Sequence, residues 1–120
     1  AHARACSVLR QAGEDAAAEA AMDWLDHPAE MEILRHLASW PKLVISAANA
    51  HEPHRIAFFL MDLAASFHAL WTAGREAPEL RFIREDDAAL TAARLRLVKA
   101  TALVIRSGLG VLAIEAREEM

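Results

Sequence analysis

His51, Glu52 and His54 stand within four residues, a set of side chains that could bind a metal ion. Tetrahedral zinc needs four donors, and a helix offers them one turn apart. Here Pro53 sits between the two histidines and marks a helix start, so the imidazoles leave the backbone on either side of it. No cysteine or nearby acid completes a ligand set, and His2, His27, His36 and His68 are scattered too widely to help. No metal is expected; His51 and Glu52 read as capping or linker residues. Further along, Phe67 and Trp71 could stack a nucleobase. Advancing about 100° per residue along a helix puts Ile56, Phe59, Leu60, Leu63, Phe67, Leu70 and Trp71 in one arc. Phe67 lies inside this stripe and reads first as core. Trp71 stands beside Gly74 and Arg75 where the stripe runs out, which leaves it open between core residue and exposed platform.

A third candidate is charge. The chain carries a net charge of −4, yet from Gln11 to Leu34 there are seven acids and no Lys or Arg, while Thr91 to Ile114 holds Arg94, Arg96, Lys99 and Arg106 and no acid. On a helix, Arg96, Lys99, Leu103 and Arg106 fall opposite Leu90, Leu97, Val98, Thr101, Val104 and Ile105. That basic face is either a solvated surface or a set of phosphate contacts. Nothing assembles into catalysis: there is no glycine-rich phosphate loop and no serine set beside a histidine and an acid. The single Cys6, among Ala5, Val8 and Leu9, reads as a small buried hydrophobe.

The elements that would position these residues are helices. At 120 residues, 55 % hydrophobic and 25 % charged, with four glycines and no tyrosine, the composition is that of one globular domain rich in alanine and leucine. The apolar runs, such as Ile56 to Met61, fall short of the ~20 residues that span a bilayer, and no signal peptide opens the chain, so a cytoplasmic protein is expected. A helix covers Ala1 to Ala12 and stops at Gly13; its first residue is helical rather than capped, which suggests a chain that begins earlier. Glu14 to Trp24 is an acidic, alanine-rich stretch, either short helix or loop. Asp26 or His27 caps a helix over Ala29 to Trp40, with Pro28 and Glu30 in its first turn. Pro41 ends that helix and opens another to Asn49. Helices then run from Pro53 to Ala73 and from Ala88 to Ser107, the last closed by the Gly108 and Gly110 pair. The fold class is all-α, a bundle of about five helices, and its residues alone describe a binding module.

Four segments in order, AHARACSVLR from Ala1, EPHRIAFFLMDLAASFHALW from Glu52, ARLRLVKATALVI from Ala93 and the closing EEM, resemble the C-terminal region of arginyl-tRNA synthetases, the DALR anticodon-binding domain. The resemblance covers nearly the whole chain, 1–120. It implies a C-terminal fragment of a class I enzyme, holding the anticodon arm of arginine tRNA while a catalytic domain of the same polypeptide uses ATP with Mg²⁺ to arginylate it. Neither signature motif of that catalytic domain occurs here, so no cofactor is expected within this chain, and a monomer without membrane attachment is. Carried over by position, the tRNA-facing surface falls on Phe67, Trp71, His2, Arg4 and Met120; on that reading the basic face read above from the residues, Arg96, Lys99 and Arg106, would meet phosphates. The loop from Glu76 to Asp87 is longer than in many relatives, and AREEM differs from the commoner ERM ending. The competing expectation is a helical protein-interaction module, in which the aromatics pack and the basic face meets an acidic partner.

Overall fold

The computed structural model describes residues 1–13 and 25–118. The expectations for Glu14 to Trp24 and for Met120 lie outside these. Four helices form, α1 (His2–Ala12), α2 (Pro28–Ala50), α3 (His54–Glu76) and α4 (Ala88–Val111), with a 3-10 turn at Pro78–Leu80. α4 is the central element and packs against α1, α2 and α3, while α2 and α3 lie side by side.

The count of about five helices is corrected to four among the described residues, because the helices expected on either side of Pro41 are one. A proline inside a helix removes a hydrogen bond and costs about 3 kcal/mol. Here packing on both sides outweighs that cost. Leu37, Trp40 and Leu43 all lie against the core, with the Trp40 ring 5.3 Å from that of Phe59. At the start of α2 the choice between two caps falls to His27, whose Nδ1 accepts the Ala29 N–H at 3.1 Å. At its end His51 takes the left-handed conformation, φ 55° and ψ 42°, and the Glu52 N–H reaches back to the Ala47 carbonyl at 2.9 Å. The histidine pair is therefore a helix stop and a helix start.

α3 buries Ile56, Phe59, Leu60, Leu63, Phe67 and Leu70, the arc expected from the sequence. By length and composition alone this helix could cross a bilayer, which the short apolar runs did not suggest, since between Arg55 and Arg75 Asp62 is its one charged residue. The buried row is spent on packing within the bundle. α4 is capped by Asp87, whose Oδ1 accepts the Leu90 N–H at 3.0 Å, and it does not stop at Ser107 but runs to Val111. Gly108 is not its terminator. A Cβ there would lie 2.8 Å from both Leu60 methyl carbons and 3.0 Å from the Trp40 ring, so the glycine is what lets three helices meet.

Arg94, one of the four bases of the basic segment, is withdrawn from the surface. Its side chain is 5 % exposed and lies 3.2 Å from Glu30, itself 1 % exposed. The guanidinium also donates to the carbonyls of Glu79 and Arg81 at 2.7 and 2.9 Å, pinning the loop after α3 to α4. Burial pushes the Glu30 carboxyl above the usual range, opposed by the charge of Arg94. Glu30 lies in the first turn of α2, as expected, and also serves as the core partner of an arginine.

Candidate nucleic-acid interface

His68, Trp71 and Arg75 occur at intervals of three and four on α3, which brings them onto one face of the helix end. α1 supplies the fourth member. The Arg4 guanidinium carbon lies 4.2 Å from the centroid of the Trp71 ring and that of Arg75 lies 5.1 Å from it, both within the range of cation–π attraction. Arg4 Nη1 also meets His68 Nδ1 at 3.2 Å. A guanidinium only donates, so this nitrogen of His68 accepts and carries no proton. Burial, and after it the charge of Arg4, lower the His68 pKa below 6.5, in keeping with that role. The result is a half-buried indole with two cationic groups over it.

Beside Trp71 opens a cleft of about 1090 Å³, walled by Leu70, Gly74 and Arg75 of α3, by Val8 and Gln11 of α1, and by the loop from Pro78 to Asp86. Gly74 lets the loop close on the helix, since a Cβ would lie 3.1 Å from the Leu80 carbonyl oxygen and 3.2 Å from the Arg81 Cα. Within the loop Arg84 is held by Asp86 at 2.6 and 3.1 Å.

Two residues expected on the tRNA-facing surface are placed elsewhere. Phe67 is 1 % exposed and stacks on Phe82, with centroids 5.6 Å apart and planes 12° from parallel; with its ring covered it belongs to the core and cannot offer a face to a base. His2 is 7 % exposed, and its Nδ1 is hydrogen-bonded to the Arg117 carbonyl at 2.7 Å, so its ring is engaged within the fold. Trp71 and Arg4 come together, as described. Arg96, Lys99 and Arg106 lie exposed along α4, with Leu103 66 % exposed among them. Arg75 and His68 were not singled out from the sequence, although their spacing from Trp71 would have found them. The contact with Arg4 depends on α1 being brought beside the end of α3 by its packing on α4, which no local pattern encodes. Among the described residues no three His, Cys, Asp or Glu side chains gather as a metal set.

The described residues thus form an all-helical bundle with a cationic aromatic corner and an exposed basic row. Its residues 1–120 match the profile of the DALR anticodon binding domain, and the chain belongs to that family. It is 52 % identical to an arginine–tRNA ligase of Rhodospirillum rubrum and 51 % identical to one of Xanthobacter autotrophicus, each alignment covering 100 % of this chain and 22 % of the relative. With the arginine–tRNA ligase of Rhodopseudomonas palustris it shares 48 % identity over 99 % of its length. The chain thus spans 22 % of the length of these relatives.

Proposed function

We propose that this chain is the anticodon-arm-binding part of an arginine–tRNA ligase, positioning arginine tRNA for ATP-dependent arginylation by a catalytic domain that lies outside it. The observation that carries this reading is the match of residues 1–120 to the anticodon-binding family, in relatives that are themselves arginine–tRNA ligases. ATP and Mg²⁺ belong to the catalytic part, and the partners of this chain are the tRNA and that domain. A cytoplasmic monomer without membrane attachment accords with the same reading.

The chemistry of the corner suits the task. Bases splayed from a single-stranded loop stack on aromatic rings and on guanidinium planes alike, and the Arg4–Trp71–Arg75 group offers both. Arg96, Lys99 and Arg106 meet phosphates, contributing affinity without sequence choice. Met120, beyond the described residues, remains assigned to the tRNA surface by position in the family. The test is a titration against arginine and non-arginine tRNAs at two salt concentrations. Preference for arginine tRNA and weakening with salt are expected; equal, salt-insensitive binding of both would overturn the assignment.

A further inference from the structure

Resting on the reading above, we propose that His2 is a positioning residue for the C-terminal segment, which it straps against α1 to make the far wall of a cleft that continues the basic row of α4. The Arg117 carbonyl can only accept a hydrogen bond, so the His2 Nδ1 donates to it at 2.7 Å. Two turns along α1, Arg10 Nη2 donates to the next carbonyl, that of Glu118, at 3.3 Å. Both holds are on backbone oxygens. The strap is therefore indifferent to which side chains stand at 117 and 118, both of which are exposed.

The approach to the strap is built into the end of α4. Ala113 turns back with φ 60°, and the Ile114 N–H bonds the Leu109 carbonyl at 2.8 Å. Between the returning segment and α4 lies a cleft of about 690 Å³, lined by Arg106, Gly110 and residues 114–118. Arg106 is the last cation of the exposed row. Glu115 and Glu118 share the lining with Arg106 and Arg117, so the cleft is not a simple anion trap, and its value to RNA binding lies in being pre-ordered. A wall already fixed spares the complex the entropy of ordering it. His2 itself touches no RNA in this scheme.

The experiment uses the full chain, arginine tRNA as the probe, and tryptic cleavage after Arg117 as a direct report on the strap. His2→Ala is expected to speed that cleavage and to weaken tRNA binding by about fivefold, while His2→Asn, whose amide can donate in place of Nδ1, restores both. Arg10→Ala, at an exposed position, should shift both readouts the same way without touching a buried residue. In a chain ending at Ile114, His2→Ala should have no further effect on binding. The proposal is overturned if His2→Ala and Arg10→Ala leave cleavage unchanged, or if His2→Ala weakens tRNA binding equally with and without the segment. Cleavage that responds as expected while no form binds tRNA would retire the RNA reading and leave the strap standing.

Discussion

Phe67 and Trp71 sit one turn apart on the same helix face, yet they have different fates. Phe67→Ala empties a fully packed site and should lower stability by about 3–5 kcal/mol. Trp71 is half-buried, so Trp71→Ala should cost less stability but roughly 1–3 kcal/mol of tRNA binding, the worth of one stacked base. Thermal melting and titration of the two variants decide this; a Trp71 variant that melts as early as the Phe67 variant while its folded fraction binds normally would remove the stacking role. His68 carries a pH prediction. Its pKa is lowered below 6.5 by burial and by neighbouring positive charge, so the unfolded chain takes up the proton more readily than the folded one. The stability it contributes is present above pH 6.5 and lost as pH falls through the lowered pKa. The His68 ring should titrate by NMR with a midpoint under 6.5, and His68→Gln should flatten that part of the stability profile. At this scale the sequence was half legible: Trp71 stood out because the stripe ended there, whereas the burial of His2 depends on a partner 115 residues away.

At the scale of elements, hydrophobic spacing revealed α3 and α4 well, and their ends poorly. Pro41 and Gly108 are normally helix punctuation, and here tertiary contacts override both. Conversely, the left-handed stop of α2 falls on His51, where the chain offers no glycine. His51→Gly should therefore raise stability by up to about 1 kcal/mol, since an L side chain is strained at that φ. The two glycines of α4 should respond oppositely to alanine. Gly110 has open space around it, and Gly110→Ala should stabilise by up to about 1 kcal/mol through helix propensity. At Gly108 the same gain is offset by about 1–3 kcal/mol of overpacking against Leu60 and Trp40, so the net effect should be neutral to destabilising. Chemical denaturation of the three variants checks the signs. The Arg94–Glu30 pair joins α4, α2 and the loop, and was invisible in a sequence where Arg94 counted only as one of the four bases between Thr91 and Ile114. Arg94→Ala should cost about 3–5 kcal/mol by stranding a buried carboxylate, a loss that denaturation would register directly.

For the whole molecule, affinity should reside largely in charge placed on one outer row. Replacing Arg96, Lys99 and Arg106 together by alanine should shrink the salt slope of tRNA binding by about two to three units, and an unchanged slope would make the row mere solvated surface. Without the rest of the ligase contact, the chain's own affinity should fall no tighter than roughly micromolar, within the ~10⁻⁴ to 10⁻⁶ M typical of electrostatic binding; titration at physiological salt measures it. The contact of His2 with Arg117 also bears on how the protein is made. α2 and α3 are consecutive and can pair as soon as both are synthesised, but the first helix packs on the last. At about 5–20 residues per second, the stretch from Ala12 to Ala88 takes roughly 4–15 s to translate. Through that interval the Ala5 and Val8 face of α1 waits uncovered for the helix that will bury it. During synthesis, then, α1 is the natural target of chaperones that bind nascent apolar surface, and it is the last helix of the bundle to be committed.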